Sequence, residues 1–285
     1  MKVPRVSGKC VIPVLRALLP WAVLWALAAA PGRGDTYPAA GGSEALKPVL
    51  RQMAVLLFSD AEVSLGRIPA AERASPLGWT VEAMTLLQSQ PRTEGKIDEA
   101  ARLLERAWEE GGPAVAPVAG YFRARVPQAH AAVADAALAM RYFEELAERY
   151  PEHPLAEMGR VRHAALHLSL AESRADVAAR IEHLERESAP FLDAAARRDF
   201  HSLLGHALLL HELDAAGALR HLLAAIDAGV PESSVRYRGY VIRIAELARV
   251  TGEAETAREY YNRFLEEFPR DDRRHMIEQR LRDLP

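Results

Sequence analysis

Cysteine is nearly absent: Cys10 is the only one in 285 residues. It precedes the first apolar run, whereas a lipid-modified cysteine follows such a run, so lipidation is not expected. Downstream of Cys10 there is no disulfide and no thiol chemistry. Asparagine occurs once, at Asn262, and long runs of valine, isoleucine and threonine are missing, which argues against a large sheet. Lysine is also scarce. Lys2, Lys9, Lys47 and Lys96 stand against 32 arginines, and those arginines alternate with acids, as in Glu253–Glu267. A nucleic-acid surface needs its basic residues gathered on one face with a positive balance, so no nucleic-acid partner is expected. A G-x-S-x-G elbow, a glycine-rich phosphate loop, a dinucleotide fingerprint and an HExxH pair are all lacking, and with them the commonest catalytic signatures.

What is present is helix-forming material. Alanine, leucine, glutamate and arginine dominate, and hydrophobic content of 49% with 26% charge is that of a globular chain. The first thirty residues differ. Lys2, Arg5, Lys9 and Arg16 precede the apolar run of residues 17–30, ALLPWAVLWALAAA, and no acid occurs before Asp35. The run is short for a bilayer-crossing helix and fits a cleavable secretory signal over residues 1–30, cut between Ala28 and Gly34. Cleavage leaves 32 basic against 39 acidic residues, a net charge of −7, and a domain with no membrane insertion of its own. These features predict a secreted, periplasmic protein; retention of the apolar segment would instead make it a membrane-tethered envelope assembly factor.

Residues 31–43 read as a proline- and glycine-rich linker, and 44–76 as a first helix (44–58) followed by an irregular connection. From 77 onward helices come in pairs: 77–89 with 96–110, 114–125 with 128–149, 154–171 with 174–187, 191–211 with 214–228, and 232–250 with 253–267. The stops Pro151, Pro190, Pro231 and Pro269 are 39, 41 and 38 residues apart. A period in this range predicts a helical array whose pairs cover one another's apolar faces. The helix at 272–283 carries Met276, Ile277 and Leu281 on one side and reads as a C-terminal cap.

In the fifth pair, residues 238–269 (RGYVIRIAELARVTGEAETAREYYNRFLEEFP) resemble a tetratricopeptide repeat. Ala245 and Ala257 stand at its small positions, Gly252 at the turn, Tyr261 and Phe264 at the large positions of the second helix, and Pro269 at the end. Ala139, Phe143, Leu146 and Pro151 repeat the second-helix pattern, as do Gly95, Ala100, Leu104 and Ala107; Leu204, Gly205, Ala218, Leu222 and Ala225 fit with a one-residue slip. Small residues allow the helices to approach and large ones fill the space beyond the crossing. The resemblance implies an all-α, right-handed solenoid of antiparallel helix pairs over 77–271, closed by the capping helix at 272–285. It also implies a concave face lined by first helices, on which Ile242, Glu246 and Arg249 would meet a protein or peptide partner.

His163 and His167 lie four apart on one helix face, a spacing compatible with two metal ligands, and a metal-dependent protein using that helix is the alternative to a scaffold. His201, His206, His211 and His221 are spaced so that their side chains rotate around the helices. Packing is the expected role of these histidines, and no metal, cofactor or catalysis is expected.

Overall fold

The computed structural model describes residues 43–230 and 235–285. The expected signal peptide, nearly all of the linker and Pro231 lie outside these residues. Among the described residues there are fourteen α-helices and one π-helical turn. The chain divides into two compact units, one up to His163 and one from Ala164.

In the first unit, α1 (Ser43–Ala54) is followed by α2 (Phe58–Gly66) and a single turn, α3 (Ala70–Arg73). The sequence reading of one helix over 44–58 and an irregular stretch after it is therefore corrected. The helix ends at Ala54 and is closed by Leu56, whose φ is 64°, and the Leu57 amide donates back to Gln52 O at 2.8 Å. That is the left-handed closure that ends helices. The stretch read as irregular then forms α2, which buries only Ala61 and Leu65, too few apolar positions to set a visible helical period.

The pair α4 (Pro76–Gln88) and α5 (Glu94–Glu110) follows, each helix started by a hydroxyl cap. Ser75 accepts from the Gly78 amide at 3.1 Å, and Thr93 from the Lys96 amide at 3.3 Å, satisfying donors that the helix itself leaves free. α4 is apolar over most of its circumference, burying Trp79, Val81, Ala83, Met84 and Leu87, because α1, α2 and α5 all pack on it. α5 buries Ala100, Leu104, Ala107 and Trp108 on one stripe, in agreement with the repeat pattern.

The second pair is irregular. Its first helix, α6 (Ala116–Arg125), is followed by a π-helical turn at Val126–His130, and α7 begins only at Ala136 and runs to Arg149. The reading of a helix over 128–149 is corrected at its start. The Ala131 amide donates to Val126 O, a five-residue step, and the Asp135 amide to Pro127 O. Asp135 then caps α7 by accepting from the Leu138 amide at 2.9 Å. Beyond the break the pattern holds: Ala139, Phe143 and Leu146 are fully buried. Gly120 of α6 lies against Trp108, where an added Cβ would come within 2.6 Å of the indole ring, so only glycine allows this approach.

The division between the units falls inside α8 (Pro154–Ser169). The second unit continues with α9 (Arg174–Glu187), α10 (Ala194–Leu210), α11 (Ala215–Asp227), α12 (Val235–Thr251), α13 (Ala254–Glu267) and α14 (Arg274–Arg282). α10 packs closely on α11 and α12 on α13, while α11 also packs on α12 and α13 on α14. Both close pairs turn in the same way. The φ of Glu212 is 50° and that of Gly252 is 84°. The amides just beyond, of Leu213 and Glu253, donate back to Leu208 O and Ala248 O at 2.9 and 2.8 Å.

Leu204, Ala218, Leu222 and Ala225 are fully buried in one pair, and Ala245, Ala257, Tyr261 and Phe264 in the other. Of the three apolar residues expected to hold the last helix down, only Ile277 is fully buried; Met276 is 41% exposed.

Candidate functional site

The residues expected to meet a partner are on α12. Ile242 is half-buried. Glu246 and Arg249 belong to a network inside the repeat. The Tyr261 hydroxyl donates to Glu246 Oε1 at 2.7 Å, and Arg249 donates to Glu246 Oε2 through Nη2 at 3.0 Å and Nε at 3.3 Å. Arg280 of α14 lies 3.7 Å from the same carboxylate.

Burial, and then the bond to Glu246, push the Tyr261 phenol up to about 12. The Glu246 hydrogen bond raises the Arg249 guanidinium. The phenol thus stays a donor and the guanidinium a cation, and Glu246 accepts from both. Its first chemical role is to satisfy a tyrosine whose ring fills the pair. The repeat positions Ala245, Ala257, Tyr261 and Phe264 form the core of the pair, Gly252 its left-handed turn, and Pro269 is exposed after its end.

Sequence reading missed a row of exposed apolar residues. Leu170 follows α8 directly, Leu210 ends α10 and Val250 is next to last in α12. They are 45%, 70% and 66% exposed and forty residues apart. Single exposed leucines need no explanation, but recurrence at the ends of three successive first helices, at a forty-residue spacing, is a pattern. The signal that could have found it is the same forty-residue period that the prolines display.

The histidines divide into separate contacts. His163 Nε2 is 2.8 Å from Glu144 Oε1, and the His167 ring is 5.7 Å from that of His183. In the other group only two meet: His201 and His221 face each other Nδ1 to Nδ1 at 2.9 Å, and His221 Nε2 is 2.8 Å from Glu185 Oε1. With Glu185 accepting from His221 Nε2–H, the remaining His221 nitrogen accepts from His201 Nδ1–H. Burial, then His221 and Arg197, hold His201 below the usual histidine range, as this neutral arrangement requires. The chain Glu185–His221–His201 joins α9, α11 and α10. His206 Nδ1 is bonded instead to Ser202 O at 2.6 Å. Among the described residues no group of three or more His, Cys, Asp or Glu side chains is placed to hold a metal ion, and no helix is long and apolar enough to cross a membrane.

Residues 242–271 match the tetratricopeptide repeat family model. The match covers most of α12 and all of α13, so this pair is tetratricopeptide-like within an all-helical fold. Among solved structures, a thermophilic TPR protein of Thermus thermophilus is similar at 21% identity and a TM-score of 0.36, covering 72% of this chain and 97% of that one. No curated protein gives a significant match.

Proposed function

We propose that this protein is a non-catalytic scaffold of the bacterial periplasm or cell envelope that binds a protein partner through its helix-pair array. Tetratricopeptide repeats generally mediate protein–protein interaction, which supports the coarser part of this reading. The observation that carries the rest is the row Leu170, Leu210 and Val250. Apolar side chains left exposed at the ends of consecutive first helices favour a partner laid along several repeats, with half-buried Ile242 on α12 as a further contact. Glu246 and Arg249 act chiefly through the internal network, so their contribution to a partner is indirect. The periplasmic assignment rests on the charged start and apolar run of residues 1–30.

The test is crosslinking and capture from the cell envelope with the wild-type chain and the Leu210→Glu/Val250→Glu double variant as baits. Both substitutions are at exposed sites, so helicity and thermal midpoint should be unchanged. A reproducible partner lost from the double variant supports the scaffold. No partner, or one captured equally by both baits, overturns the proposed surface. The mass of the protein recovered from the periplasmic fraction tests secretion: loss of roughly the first thirty residues is expected, and an intact start in the membrane fraction would point to the tethered form.

A further inference from the structure

Helix direction brings the turns of the second unit to one edge. α11 packs on both α10 and α12, and the chain reverses at each turn, so α10 and α12 run the same way and end on the same side. The turn between α8 and α9 is tied to this edge by a bond. The Arg174 guanidinium donates to the backbone oxygen of Glu212, in the turn of the next pair. The exposed Leu170, Leu210 and Val250 stand at these three turns.

The turns are also alike in charge. Glu172, Glu212 and Glu253 follow the apolar residues by two or three positions, and all three are exposed. Asp176, Asp214 and Glu255 come just after them. Residues 170–176, 210–216 and 250–256 together hold six acids and one arginine, Arg174, whereas the whole chain has 39 acids against 36 basic residues. The edge is therefore far more acidic than the chain that forms it.

Acids near helix starts ordinarily serve the helix, and Asp176 does so, accepting from the Glu172 amide at 3.0 Å and from Arg180 at 2.9 Å. The others are less engaged. Asp214 and Glu253 stand at the N-caps of α11 and α13 without accepting from a helix amide, and Asp214 has only Arg220, 3.9 Å away. Among the described residues the carboxylates of Glu172, Glu212 and Glu253 have no ion-pair partner. A row of apolar side chains thus lies among carboxylates that the fold leaves unneutralised.

Such an edge repels acidic segments, nucleic acid and anionic lipid, and two copies meeting through it would oppose like charges. We propose that it is the docking surface for a basic, apolar segment of a protein partner. Apolar side chains of that segment lie against Leu170, Leu210 and Val250, and its Lys or Arg side chains face Glu172, Glu212 and Glu253. The proposal rests on the partner reading above and adds the chemistry of the partner.

The experiment follows fluorescence anisotropy of a labelled peptide, in which leucines alternate with Lys-Ser pairs, on titration with the full chain. Saturable binding that weakens several-fold as salt is raised is expected. The Glu172→Lys/Glu212→Lys/Glu253→Lys variant should bind about tenfold or more weakly, and should instead bind the peptide that carries Glu in place of Lys. The triple change to Gln, with a several-fold loss, serves if the reversed chain fails to fold by circular dichroism. No saturation, equal binding of the Lys and Glu peptides by the wild type, or affinity unchanged by both triple variants overturns the proposal. An envelope partner that is lost on Leu210→Glu/Val250→Glu but captured equally by the charge-reversed chain also overturns it, while leaving the scaffold reading in place.

Discussion

Tyr261 of the fifth pair and Tyr121 of the second are both removed from solvent, yet one has its hydroxyl on Glu246 and the other has no partner. The arginines follow the same division: Arg249 is fixed to Glu246, whereas Arg125 meets only a neutral amide. The backbones differ in parallel. The fifth pair turns at Gly252 with two residues between its helices; the second passes through a π-helical turn and a five-residue stretch before α7. A regular pair satisfies its own polar groups, and where the repeat geometry is broken, donors are left over.

This comparison can be broken or sharpened by substitution. Phe264→Ala removes a fully buried ring from the regular pair and should cost about 3–5 kcal/mol in urea unfolding followed by circular dichroism; a loss under ~1 kcal/mol would mean that the pair is not the close-packed unit described. Ala257→Leu should cost about 1–3 kcal/mol by overpacking, seen as a lower midpoint with an unchanged slope. The two tyrosines provide the direct contrast. Tyr261→Phe should cost about 1 kcal/mol, because it removes a donor from Glu246, while Tyr121→Phe should change stability by roughly zero, since no bond is lost. Equal costs would erase the distinction.

Acid separates the two regions with the smallest effect. His130 binds its proton only near pH 4 when folded, against an ordinary 6.5, so between these values the unfolded chain holds more protons. Its contribution is full above about 6.5 and declines as pH falls towards about 4. Asp271, which ends the matched repeat, is lowered from 3.8 to about 2, first by the hydrogen bond from Arg273. Its stabilisation is present above about 4 and is lost only as pH falls towards 2. Amide exchange should therefore accelerate in α6 at mildly acidic pH and in α14 only at strongly acidic pH. His130→Phe should abolish the first change alone.

The parts legible in the sequence were those set by local spacing. Ala139, Phe143 and Leu146, and Ala257, Tyr261 and Phe264, share intervals that place them on one helix face, and all six are fully buried. The helix ends near Pro151 and Pro269 were equally readable, because proline past the last turn has no amide to extend the ladder. Less was visible where tertiary contact decides. α2 forms although it buries two residues, and the restart of α7 at Ala136 depends on the Asp135 cap more than on Pro127. The helix that carries Ile242, Glu246 and Arg249 was readable from its spacing. The face of Glu246, however, is determined by a tyrosine fifteen residues away and an arginine on α14, which no periodicity encodes. The neutral contact of Arg125 was hidden for the same reason: its sequence neighbours do not show that Arg123 takes the carboxylates of Glu105 and Glu145.

The matching turns at Glu212–Leu213 and Gly252–Glu253 bear on how the chain reaches this structure. Each brings two helices into register across a handful of residues, so the entropy lost on closing the loop is small. Most contacts of a pair are then near neighbours in sequence, the topology that folds fastest. A pair emerging from the ribosome already contains the partners for its inner face. Assembly can proceed pair by pair behind the growing point of synthesis, with each new pair covering the apolar side of the one before it.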